Sequence, residues 1–201
     1  MPLADAQHIF RGRSGTKIPL LEERHAFLQQ TGRVLRDRFK GDILRLLEEA
    51  SYHAPTIARV VIDHFPSFRD ASSWQGNPVR FYKRAQIAAY DMSLLPGSRI
   101  HGTEELTIFA DYKLPQILRH CGVLEYKASL ARRVDTQKKI PKDSREELEI
   151  RAATIWACEL LAKELHQPAV LIDNALWVLA VQHQARYQNM KPYHRTRTIF
   201  Y

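Results

Sequence analysis

Cysteine is nearly absent from this sequence: there are two, Cys121 and Cys158, and neither belongs to a C-x-x-C pair. That excludes a cysteine-based zinc framework or a disulfide scaffold, and the apolar surroundings of both residues suit buried thiols better than nucleophiles. Long apolar runs are missing too. None approaches the ~20 residues that cross a bilayer, and the opening MPLADAQHIFRGRSG lacks the apolar core of a signal peptide. The expectation is a soluble, cytoplasmic protein. The chain has no phosphate-cradling glycine loop, no H-E-x-x-H, no G-x-S-x-G and no RNP-type aromatic pattern. Its eight glycines read as stops and turns. No internal repeat or low-complexity tract is present.

What is there is an ordinary globular composition on 201 residues, with 45% hydrophobic and 26% charged residues. That length suits one domain with a real core. Lys plus Arg number 30 against 22 Asp plus Glu, a net charge of +8, which favours anionic partners without choosing between a phosphorylated metabolite and a polymer.

Helical periodicity dominates. Leu21, Leu28, Leu35 and Phe39 mark a helix from about residue 20 to 39, stopped at Gly41. Asp42 is placed to cap a helix over 43–50, and Pro55 opens another that Pro66 ends. PSFRDASSWQGNP (66–78) reads as a long structured loop, followed by a helix over 79–95 and another from Thr103 that breaks near Leu114. Pro115 fits the first turn of the next helix, stopped by Gly122. The basic stretch from Arg132 to Ser144 reads as an exposed linker or loop. Ser144 to Glu147 form a capping-box pattern for a helix to about Leu165, and Pro168 starts a last helix, apolar nearly all round and therefore expected to be central. The tail MKPYHRTRTIFY reads as extended chain. The fold class is all-α, a compact multi-helix single domain.

Four places carry candidate chemistry. Lys83 falls on the arc of Val79, Ile87, Tyr90 and Leu94, mid-stripe on an apolar face. A buried lysine needs a partner and has a lowered pKa, although a snorkelling lysine would satisfy the same spacing. Asp111 follows an apolar turn and precedes Pro115, so it either projects into a cleft or caps the Pro115 helix. Asp173 lies early in the most apolar helix, where it needs a donor or a cation, or simply suits the helix dipole. In the tail, extended chain puts Arg195 and Arg197 on one side and Thr196 and Thr198 on the other. The two arginines and His194 could grip a phosphate or form an ordinary basic terminus.

The blocks FPSFRD (65–70), VRFYKRAQI (79–87), LTIFADYKLPQIL (106–118), EIRAATIWACELL (149–161) and PYHRTRTIFY (192–201), in this order, resemble the queuosine salvage proteins. The likeness covers nearly the whole chain from IFRG (9–12) onward. It implies an all-α fold similar to helix-hairpin-helix DNA glycosylases, no metal or other cofactor, and hydrolysis of queuosine 5′-phosphate to release queuine for tRNA modification. The family's lysine falls on Lys83 and its aspartate on Asp111, with Phe109 beside it as a wall for the base. The C-terminal block falls on His194, Arg195 and Arg197, and Asp173 could contact the base or its charged amine. Two departures stand out. A preceding family segment with an Asn-Phe-Cys-Phe-Trp-like stretch has no counterpart, so the chain looks like the C-terminal two-thirds or so of such a protein, and Val178 stands where an acid is expected. The implied partner is a small nucleotide, with no membrane association and no assigned oligomeric state. A non-catalytic module binding queuosine nucleotide or tRNA, and a glycosylase acting on a nucleic-acid polymer, are the alternative readings.

Overall fold

The computed structural model describes residues 1–186 and 190–201. Nine α-helices are present among them: α1 (Leu3–Ile9), α2 (Leu21–Phe39), α3 (Ile43–Glu49), α4 (Ala54–His64), α5 (Lys83–Ser93), α6 (Lys113–His120), α7 (Ala128–Asp135), α8 (Arg145–Leu165) and α9 (Ala169–Arg186). A single hairpin of β1 (Ala71–Trp74) and β2 (Asn77–Arg80) completes the set. The protein is mostly helical, as expected. Among the described residues no helix is long and apolar enough to cross a membrane.

Local rules explain the helix ends. The Asp42 carboxylate accepts the Leu44 amide at 2.9 Å, capping α3. At α8 the Ser144 hydroxyl accepts the Glu147 amide at 3.4 Å, while the Glu147 carboxylate turns to the Asp143 amide at 3.1 Å instead of completing the capping box.

The structure departs from the sequence reading at five places. Residues 66–78 are not a loop. After a one-turn helix over Pro66–Phe68, Ser72 and Ser73 pair with Val79 and Pro78 across the hairpin. Gln75 and Gly76, both at positive φ (49° and 80°), make the two-residue turn that matches strand twist. Val79 and Arg80 are thereby taken into β2, so the helix starts at Lys83 rather than at 79, and Lys83 is its first residue instead of mid-stripe.

No α-helix follows Thr103. One turn over Thr103–Glu105 gives way to extended chain, because Leu106, Ile108, Phe109 and Ala110 are drawn into two different hydrophobic clusters. The Arg132–Ser144 stretch is not a free linker: its start belongs to α7, and Val134 and Ile140 pack on Ile150. Of the two cysteines, Cys158 is buried but Cys121 is exposed. Finally, α9 is not central. It buries an arc of Ala169, Ile172, Asp173 and Ala180, while Trp177 and Val178 remain 48% and 46% exposed.

Two hydrophobic clusters organise the body. The first joins α2, α3, α4 and α5 through Phe39, Leu46, Ile57, Val61, Phe65 and Ala89. The second joins Phe81, Leu114 and Leu118 to Leu148, Cys158 and Ile172 of the α8–α9 pair. The extended segment 106–110 is the seam between them: Leu106 and Phe109 enter the first cluster, Ile108 and Ala110 the second.

Candidate active site

Three ionisable side chains stand on that seam. Lys83 lies between Phe81 of the second cluster and Ala85 of the first. Asp111 directly follows Phe109 and Ala110, and Asp173 follows Val170 and Ile172, one from each cluster. Residues far apart in the chain are thus gathered where two apolar masses meet, which is where an ionised group is hardest to solvate.

The Lys83 position is built by a strained turn. Tyr82 adopts the left-handed region (φ 48°), a conformation that costs a non-glycine residue on the order of 1–3 kcal/mol. The turn is held by the Asp70 carbonyl, which accepts the amides of both Phe81 and Tyr82 at 3.0 Å. Burial lowers the Lys83 pKa, opposed by the charges of Asp111 and Asp173. As the first residue of α5, the ammonium also sits at the positive end of the helix dipole. Among the described residues no ion pair within 4.0 Å joins Lys83 to either carboxylate, so its influence on them acts through space.

Asp111 is a buried cap. One carboxylate oxygen, Oδ1, accepts the amides of Lys113 and Leu114 at 2.7 and 3.1 Å, capping α6. Burial raises its pKa, and Lys83 and those two amides pull it back. Asp173 is buried on α9 and accepts the Phe109 amide through Oδ2 at 2.6 Å. Burial lifts its pKa to about 7; the Phe109 amide and Lys83 oppose that rise and the charge of Asp111 adds to it. Two coupled carboxyls facing one ammonium can hold a proton between them at neutral pH.

Phe109 is 5% exposed and its ring packs on Tyr90 at 5.9 Å. Asp173 holds its backbone, so the Phe109 amide is tied to Asp173 while its ring packs in the core.

Three further residues were not singled out from sequence. Arg151 of α8 donates to both oxygens of Asp70, at 3.0 and 2.5 Å, and through Nε to the Ala110 carbonyl at 3.2 Å. Its guanidinium lies between the rings of Phe81 (3.8 Å) and Tyr201 (4.5 Å). Glu147 completes the group 3.5 Å from Arg151 and accepts the Tyr201 hydroxyl at 2.7 Å. Because Asp70 also holds the Lys83 turn and Arg151 the residue before Asp111, this buried network fixes the two against each other. The signal lay in the sequence as Glu147 and Arg151, four apart on the buried arc of α8 with Thr154 and Cys158.

The tail splits the residues expected to act together. Arg195 and Arg197 are exposed, whereas His194 and Thr198 point inward. His194 is 2% exposed, neither ring nitrogen has a hydrogen-bond partner among the described residues, and burial lowers its pKa to about 4. It is therefore a neutral imidazole beside Tyr201 rather than a third cation next to the arginines. Thr198, Ile199, Phe200 and Tyr201 instead wall a cavity of about 550 Å³ together with Lys83, Arg84, Arg24, Phe27 and Phe68. Arg197 lines a neighbouring cavity with Arg11, Lys17, Glu22 and Glu23.

Lys83 lines an open cavity and two buried carboxyls act on its charge from the seam behind it, an acid–base constellation, and the chain is similar to known proteins. The queuosine salvage protein family matches residues 1–201. A queuosine 5′-phosphate N-glycosylase/hydrolase of Sphaerobacter thermophilus is 43% identical over 203 residues, covering 98% of this chain and 62% of that protein. The protein of the same description from Mus musculus is 35% identical over 217 residues, with 99% and 63% covered. That from Schizosaccharomyces pombe is 34% identical over 185 residues, with 89% and 54% covered. The chain thus spans a little under two thirds of the length of these relatives. It belongs to the queuosine salvage protein family.

Proposed function

We propose that this chain hydrolyses the N-glycosidic bond of queuosine 5′-phosphate, releasing queuine for salvage into tRNA modification. The observation that carries the proposal is that Lys83, which lines a cavity large enough for a nucleotide, is under the charge of two buried carboxyls, Asp111 and Asp173. The relatives' names supply the substrate.

Breaking an N-ribosyl bond develops positive charge on the sugar and negative charge on the departing base. Asp111 in its ionised form, which Lys83 and the two capping amides favour against the rise that burial causes, stabilises the cationic sugar and takes a proton from the attacking water. The water oxygen bonds to the anomeric carbon as the carbon–nitrogen electron pair leaves with the base. Queuine has carbon where guanine has N7, so the base must be protonated at another edge. Asp173, with its pKa raised to about 7, holds a proton at neutral pH and delivers it there. Lys83 also hydrogen-bonds the ribose or base, and Phe109 walls the base. His194, Arg195 and Arg197 enter as the strand that carries the cavity wall Thr198–Tyr201.

The same reading takes the chain as one helical domain of the helix-hairpin-helix glycosylase kind, acting in the cytoplasm on a free nucleotide. Incubation with queuosine 5′-phosphate, followed by chromatography, should yield queuine and ribose 5-phosphate in equal amounts. Binding without either product would instead identify a nucleotide-binding module.

A further inference from the structure

Two arginines share the cavity with Lys83 and take no part in the chemistry above. Arg84 follows Lys83 on α5. Its Nη1 donates to the carbonyls of Ser67 and Ile199, each at 3.2 Å. Its guanidinium lies 4.7 Å from the Phe68 ring and 5.5 Å from that of Phe27. Carbonyls and rings fix its plane, and none of these contacts neutralises its charge. Arg24, in the first turns of α2, lines the same cavity and donates through Nε to the Pro19 carbonyl at 3.1 Å. Among the described residues neither arginine has a carboxylate within ion-pairing distance. Burial lowers the pKa of Arg84, and the charge of Arg24 lowers it further. Two like charges held toward one space, with their geometry set by neutral groups, are arranged for an anion that bridges them.

We propose that Arg24 and Arg84 form a phosphate-monoester subsite on the solvent side of the Lys83 cavity. This rests on the nucleotide reading above and locates the phosphate. A 5′-phosphate bridging the two arginines directs the sugar toward Lys83, the adjacent residue, and keeps part of the dianion hydrated at the exposed Arg24. The subsite also explains why the exposed Arg195 and Arg197 are absent from the cavity wall.

The test compares wild type with Arg24→Ala and Arg24→Lys, reading kcat/KM for queuosine and for its 5′-monophosphate. Wild type should prefer the monophosphate, Arg24→Ala should shrink that preference about 10- to 100-fold, and Arg24→Lys should restore part of it. An unchanged preference in Arg24→Ala, or its absence in wild type, overturns the subsite. Calorimetric titration of both compounds gives the same ratio from affinities, so the subsite is testable even if no base is released. There, loss of the monophosphate's advantage in Arg24→Ala supports it, and wild type that binds no monophosphate, or binds a short oligonucleotide equally well, contradicts it.

Discussion

Asp173 accepts the backbone amide of Phe109 at 2.6 Å across 64 residues of sequence. One carboxyl therefore does two things: it holds the segment that presents Asp111, and it carries a proton whose pKa lies near 7. Asp173→Asn separates these roles, since the amide oxygen still accepts from Phe109 while the proton is lost. Wild-type kcat/KM should fall as pH rises through about 7, where Asp173 loses its proton. The variant should be slower at pH 6 and lack that limb. Retention of the limb in the variant would remove Asp173 from proton delivery.

The same group predicts a stability signature. An acid whose folded pKa is raised stabilises the fold most below its unfolded value, 3.8, and that contribution is lost as pH rises through about 7. Thermal melts at stepped pH should therefore show Asp173→Asn gaining on wild type between these values and holding its gain above them.

Lys83→Met removes the cation that opposes the rise of both carboxyl pKa values. Turnover should fall by about 10²- to 10⁴-fold while the melting temperature stays level or rises, because a buried ammonium is replaced by an apolar side chain. Near wild-type turnover would exclude Lys83 from the mechanism.

Arg151→Met leaves Asp70 and Glu147 buried without their cation. Urea unfolding should show a loss of about 3–5 kcal/mol, much of it recovered when Asp70→Asn is added. Additive losses would mean that the pair does not act as a unit.

His194 titrates with the opposite sign to Asp173. Its pKa is lowered from 6.5 to about 4, so its contribution to stability is complete above 6.5 and is lost as pH falls toward 4. The total is on the order of 3 kcal/mol. His194→Gln should flatten the acid limb of the stability curve, and an unchanged limb would place its origin elsewhere.

Much of this was legible in the sequence, for identifiable reasons. Caps and stops are local, so α2, α3, α4 and α8 fell close to where Asp42, Pro55 and Ser144 put them. The hairpin was missed because Gln75-Gly76 is a weaker turn signal than Asn-Gly, and its strands carry serines and a proline in place of clear alternation. Lys83 was singled out on a helical arc that the structure does not contain, because Val79 belongs to β2 and Leu94 is 64% exposed. Of the two readings of Asp111, the structure shows the cap for α6, with the carboxyl buried on the seam. Glu147 and Arg151 left a local signal in their spacing on α8, but their meeting with Asp70, 81 residues before Arg151, depends on long-range packing. Hydropathy made α9 look central, yet only one arc of it is covered here.

The most direct test is base release from queuosine 5′-phosphate by wild type and Asp111→Asn side by side, with nucleotide binding measured on both. The account predicts queuine from wild type alone, with the variant folded and still binding the nucleotide. Equal release by the two proteins, or none from a folded wild type that binds the nucleotide, would contradict it.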